Sequence, residues 1–297
     1  MNIRTIALVV IVAAIAFIVF QNKKSALTTA SPTATVDYAC SGNTTINAQY
    51  YSGESTPATT TGQPPKPGGT VSLKISDGRL LTLSQTISAD GSRYANADES
   101  FVFWDKGNSA LVTDTAQSNS DIGCIKVASA PADVSLPRIY ANGAVGFSIR
   151  LAEGYTVDES YRYQELGPGK DISGIKFTIP GEMATGTNLA ADSYVSVEKI
   201  PQTGLCSATL FLEGTSTKSV VDEDTTYSVA SSTGAAAGNR YSETVYAIPG
   251  TSPCVAVRYF IHYGVFQNYP TGSVREFDQS AVLNEFDAIR RTLIIAE

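Results

Sequence analysis

Residues 88–111 read SADGSRYANADESFVFWDKGNSAL, and this stretch decides the fold. Gly91 and Gly107 stand at turn positions, and the run at 101–104 between them is aromatic and β-favouring. The stretch therefore reads as two loops with strands between, the pattern of an antiparallel sheet. On either side the same grammar continues. Short β-favouring runs at 45–51, 71–75, 80–83, 101–104, 110–113 and 122–127 alternate with turn chemistry. In 44–50, TTINAQY, the apolar side chains recur at every second residue, as a half-buried strand requires. The Pro/Gly-rich segment 53–69 reads as an exposed loop and Ser76-Asp77-Gly78 as a tight hairpin turn. Residues 37–127 are thus expected to form one small antiparallel β unit.

Beyond a linker at 128–137, ASAPADVSLP, residues 138–297 carry further strand patterns at 145–150, 174–179, 194–200, 241–248 and 255–263. The tail changes period. Val282, Phe286, Ile289 and Leu293 recur at helical spacing, with Asp278 available as an N-cap and Arg290 and Arg291 near the negative end of the dipole. The expected fold is mainly β: a small antiparallel β unit, then an α+β domain with an antiparallel sheet and a C-terminal helix.

The chain has 297 residues, 43% hydrophobic and 16% charged, enough for two packed cores. Residues 3–20, IRTIALVVIVAAIAFIVF, are apolar apart from Arg4 and Thr5 and are followed by Gln21, Asn22, Lys23 and Lys24 in place of a small-x-small cleavage site. They read as an uncleaved single-pass membrane helix within 1–24, followed by a polar tether at 25–36. Positive charge on both flanks leaves orientation to the cysteines. Cys40 with Cys124 and Cys206 with Cys254 fall pairwise within the two segments, which suits disulfides and an oxidising compartment. The expected location is a membrane, with the body on the extracytoplasmic side.

Net charge is -7. Without the first 24 residues, 18 basic face 28 acidic residues, a balance that repels nucleic acid and attracts cationic partners. No nucleophile elbow, phosphate loop or dinucleotide fingerprint is present, and one histidine with four scattered cysteines makes no metal-site pattern, so no cofactor, metal or catalytic residue is assigned. His262 shares a strand face with Arg258 and Phe260 and reads as a hydrogen-bonded sheet residue; a hydrolase built on it would lack a nucleophile motif. The acidic run at 221–224 reads as a solvated loop, with divalent-cation binding as the other option.

The ordered set Tyr38-x-Cys40, Gly91-x-x-Tyr94, Trp104-x-Lys106-Gly107 and Cys124 resembles the membrane-bound and periplasmic inhibitors of C-type lysozyme, the MliC family. Gly91, Arg93 and Tyr94 match that family's first loop; Phe103, Trp104, Lys106 and Gly107 match its second. The resemblance implies a small antiparallel β-barrel whose two loops enter the lysozyme cleft. Such glycosidases work with one protonated and one ionised carboxyl group, for which a hydroxyl and an ammonium on rigid loops are suitable partners. Lys106 would be the ammonium. Where the family has Ser before Gly this chain has Asp90, and Ser88 or Ser92 would have to supply the hydroxyl. The implied lysozyme-binding set is Asp90, Gly91, Ser92, Tyr94, Lys106 and Gly107, with C-type lysozyme as partner. The competing reading is a binding or structural module that keeps the barrel without inhibition. In the second half, YANGxxGFSIRLxxGY from Tyr140 and FDAIRRTL from Phe286 resemble PsbP-like α+β domains, which implies a non-catalytic, partner-binding role.

Overall fold

A computed structural model describes residues 31–57, 62, 64–117, 121–129, 134–143, 145–201 and 204–296. The expected membrane helix within 1–24 and tether residues 25–30 lie outside the described residues. Among the described residues no helix is long and apolar enough to cross a membrane.

Eight strands, β1 (Ala34–Cys40), β2 (Thr44–Tyr51), β3 (Thr70–Ile75), β4 (Leu80–Thr86), β5 (Ser92–Ala95), β6 (Phe101–Lys106), β7 (Ser109–Asp114) and β8 (Ile122–Val127), form a closed barrel in chain order. Every neighbouring pair is antiparallel, and β1 pairs back onto β8. Alternation does what the sequence predicts: Ile46 and Ala48 of β2 and Val71, Leu73 and Ile75 of β3 point inward with Leu83, Phe103 and Val112. At the seam Cys40 stands opposite Cys124 and the two are joined by a disulfide. Two expectations need correcting. Residues 34–36 belong to β1 instead of the tether, because Thr35 and Val36 pair with Gln49 and Ala48. The four-residue β5 falls in what reads as loop, too short for alternation to reveal it.

In the second half, β9 (Arg138–Asn142) and β10 (Phe147–Leu151) pair with the C-terminal β19 (Ile294–Ile295) in the order β19-β10-β9. The larger antiparallel sheet contains β11 (Thr156–Asp158), β12 (Arg162–Tyr163), β13 (Ile172–Thr178), β14 (Tyr194–Ile200), β15 (Lys218–Asp222), β16 (Thr225–Ala236), β17 (Asn239–Ala247) and β18 (Cys254–Gly264). Its order is β11-β13-β14-β18-β17-β16-β15, with β12 paired to β13. The helix Gln279–Arg291 starts where expected, with the Asp278 carboxylate accepting from the Ala281 amide at 3.0 Å. Its apolar stripe, Val282, Phe286 and Ile289, shares a core with Val195, Val197, Val255, Val257, Tyr259 and Ile261.

The alternate residues of those strands face the other way. Cys254 and Ala256 meet Ala208, Phe211 and Leu212 in a second core, tied by the Cys206–Cys254 disulfide. The sheet is therefore double-faced, with one face under the helix. Barrel and sheets touch: Ser148 Oγ donates to the Lys126 carbonyl at 2.6 Å, Arg150 Nε donates to the Ala128 carbonyl, and Leu136, within the expected linker, is buried in the helix-side core.

The acidic run at 221–224 is a hairpin turn between β15 and β16, with Glu223 at φ 52°. Asp222 is neither solvated loop nor cation ligand, since Arg290 Nη2 and Arg291 Nε donate to it from the helix C-terminus. Burial pushes the Asp222 carboxyl upward, but those two arginines outweigh it and hold it below its ordinary value of 3.8. A carboxyl depressed in the folded state stabilises above its unfolded value and loses that contribution as pH falls through the folded one. Asp222→Asn should therefore lower unfolding free energy by about 2 kcal/mol at pH 7. Denaturant titration should show the gap between variant and wild type closing below pH 3.8.

Candidate functional site

The site is assembled by β6 and the loops at its end. Successive residues of β6 alternate, so Phe103 and Asp105 point into the barrel while Trp104 and Lys106 point out. The inward Asp105 is held in place by a hydroxyl relay: Tyr38 lies 2.9 Å from Tyr50, whose hydroxyl donates to Asp105 Oδ2 at 2.9 Å. Burial raises both phenols above their ordinary value, so they stay neutral donors. The relay pins the strand from within at the level where the outward residues form the site.

The loop between β4 and β5 folds down against this strand. Gly91 has φ +57°, and a Cβ there would lie 2.2 Å from the Asp105 carbonyl oxygen, so only glycine permits the approach. The approach lets the Asp90 carbonyl accept from Trp104 Nε1 at 3.0 Å. Gly107, with φ +66°, turns β6 into β7 with Asn108, as a two-residue hairpin requires. Lys106 then extends over the Trp104 ring, its ammonium 3.7 Å from the centroid and 3.5 Å from Asp90 Oδ2.

The structure thus brings Asp90, Gly91, Lys106 and Gly107 together. Ser92 is part of β5, paired opposite Asp105. Tyr94 is separate in role: only 6% exposed, it packs in the barrel core edge-on to Tyr50 at 5.8 Å. Ser88 turns its hydroxyl to the Asp90 carbonyl within its own loop. Sequence reading quoted Trp104 as motif but left it out of the binding set, although its ring is the platform for Lys106. It also missed Asn108, whose side-chain amide donates to the Ile295 carbonyl at 3.3 Å and ties the second loop to β19. The in-out period of β6 is the signal that exposes Trp104; nothing local marks Asn108. His262 lies away from this site, its Nδ1 2.8 Å from Asp192 Oδ1 and its ring stacked on Tyr241 at 4.6 Å. Among the described residues no cluster of His, Cys, Asp or Glu is arranged to hold a metal ion.

A small closed antiparallel barrel thus presents an ammonium and a carboxylate on two glycine-shaped loops. Residues 38–121 match the family model for the membrane-bound lysozyme-inhibitor of c-type lysozyme, MliC. The barrel is thus similar to the MliC family over residues 38–121, and by its description that family is one of lysozyme inhibitors. Comparison with curated proteins returns no match. The PsbP-like resemblance of the second half finds no support among these comparisons.

Gly91→Ala should destabilise the barrel by about 2 kcal/mol or more, from the left-handed backbone and the carbonyl clash. Because Trp104 is the only tryptophan, its fluorescence should report loosening of the loop before global unfolding in the same titration.

Proposed function

We propose that this protein is an envelope-anchored C-type lysozyme inhibitor of bacteria that plugs the active-site cleft with the loops around Asp90 and Lys106. On this reading residues 3–20 anchor the chain as a single membrane pass, the body lies outside the cytoplasmic membrane, and the protein binds without catalysing a reaction. Residues 37–127 act as the inhibitory domain and 138–297 as a second, partner-binding domain. The two disulfides and the acidic composition favour an oxidising location and a cationic target.

The observation that carries the reading is the exposed pairing of Lys106 with Asp90 on the Trp104 face. An exposed ion pair of this kind contributes little to stability, so its partners can be exchanged at low cost. In the cleft the Lys106 ammonium would turn to the ionised carboxylate, while Asp90 would face the protonated acid, which donates a hydrogen bond to it. Asp90 therefore need not repel the enzyme, provided one of the two active-site carboxyls keeps its proton. Asp90 also supports the alternative of a non-inhibitory module, since it neutralises Lys106 in the free protein.

The test is inhibition of cell-wall lysis by a C-type lysozyme. Lys106→Ala should weaken inhibition about a hundredfold, for loss of a desolvated charge pair worth about 2–3 kcal/mol. Asp90→Ser should strengthen it about tenfold by freeing Lys106. An inert wild type with an active Asp90→Ser would make the barrel a repurposed scaffold, and two inert proteins would leave the binding-module reading in its place.

A further inference from the structure

The face of the large sheet turned away from the helix holds a cavity of about 580 Å³ whose lining includes Tyr161, Tyr163, Tyr194, Tyr241, Glu243 and Phe260. Period-2 alternation sends these side chains to one side: Tyr194 precedes the inward Val195 on β14, and Phe260 lies between Tyr259 and Ile261 of the helix-side core. Tyr194 and Phe260 stack with centroids 4.9 Å apart, and Tyr161 meets Tyr194 edge-on at 5.5 Å. The result is an aromatic wall beside the second core on that sheet face.

The floor of this wall is charged. Arg258, fully buried, forks onto Glu198, with Nε to Oε1 at 2.8 Å and Nη2 to Oε2 at 2.9 Å. That bidentate pair already neutralises the guanidinium. Glu243 is a third charge, its Oε2 accepting from Arg258 Nη1 at 2.6 Å and from the Tyr163 hydroxyl at 2.9 Å. Among the described residues Glu243 Oε1 takes no hydrogen bond, and Glu243 lines the cavity with 15% of its side chain exposed. Around it, Lys176 is paired with Asp158 at 3.6 Å and lies 5.3 Å over the Tyr161 ring, while Arg162, whose Nη1 donates to Ser173 Oγ at 2.9 Å, and Glu165 add one charge of each sign to the lining. The surplus is one negative charge at the foot of several π faces.

An apolar cluster of the same volume would stabilise the sheet as well or better than a buried triad with two carboxylates and one guanidinium. The arrangement makes chemical sense if the surplus charge has a partner that arrives from outside. We propose that this cavity binds an organic cation, an ammonium or guanidinium group, which lies against the tyrosine and phenylalanine rings and donates to Glu243 Oε1. Ring faces and carboxylate both attract positive charge, and a desolvated setting strengthens each. A neutral ligand would stack but leave the carboxylate unmatched; an anion would be repelled. The cation is either a free amine or a lysine or arginine side chain of a partner.

Isothermal titration of the full-length protein in nonionic detergent tests this with spermidine, the peptide acetyl-Gly-Lys-Gly-amide and 1-pentanol as a neutral control. Saturable binding of spermidine or the peptide, with none of pentanol, is expected. Spermidine binding the tighter identifies a free amine as the ligand class, and the peptide binding at least as tightly identifies a partner's side chain. Glu243→Gln should weaken the favoured probe about tenfold, since only the charge is removed. Should that variant fold poorly, Ser232→Lys, directly opposite Glu243 on β16 and in the cavity lining, should abolish binding by placing a competing ammonium beside that carboxylate. No saturable binding of either cation, equal binding of pentanol, or a well-folded variant that binds as wild type does would overturn the proposal.

Discussion

Closure of the barrel at the β1–β8 seam is the constraint on which the rest of the N-terminal half depends. Eight short strands have little individual stability, and an open sheet of this length would leave two unpaired edges. Pairing Asp37 with Val127 through to Cys40 with Cys124 removes those edges and fixes the tilt of every strand between. The disulfide at the end of that ladder locks register where a slip of one residue would turn the core outward. Only in a closed barrel does the β4–β5 loop reach the Asp105 carbonyl, because the approach at Gly91 depends on the neighbouring strand being held in place.

The same strand chemistry produces two different sites. In the barrel, alternation along β6 buries Asp105 beneath a tyrosine relay and lifts Trp104 and Lys106 onto the surface. In the large sheet, alternation along β14, β17 and β18 sends aliphatic residues under the helix and gathers tyrosines around Arg258. Both sites set a cation beside an aromatic ring and a carboxylate. They differ in exposure: Lys106 is one-third exposed and screened by solvent, whereas Arg258 is sealed, with its charge distributed over two glutamates.

What the sequence made legible follows from the range of the interactions involved. Strands of six or more residues with one buried face, the Asp77-Gly78 turn, and the helix from its Asp278 cap to Arg291 are written in local periodicity and capping. The β5 strand and the hairpin of β15 and β16 are not, since β5 has four residues, β15 is largely exposed, and β16, although twelve residues long, is mostly exposed over its second half. Gly91, Lys106 and Gly107 are legible as a motif, but the burial of Tyr94 is not, because it comes from Tyr50, far away in the chain. Asn108 and the Glu198–Arg258–Glu243 group were illegible for the same reason: Asn108 meets Ile295 across 187 residues, and Arg258 meets Glu198 across 60 and Glu243 across 15, spans that no window of local periodicity contains.

The barrel's chain ends bear on how a target can reach the loops. Because β1 and β8 run antiparallel with Asp37 beside Val127, the chain enters and leaves at one pole. The Lys126 amide donates to the Asn108 carbonyl at that same pole, so Lys106 and Gly107 share it. Whatever fastens the chain upstream of Ala34 therefore pulls from the end that carries the ammonium and leaves the opposite end free. A partner docked on those loops must therefore share that pole with both chain ends, so its bulk is bounded by how closely it can pass them.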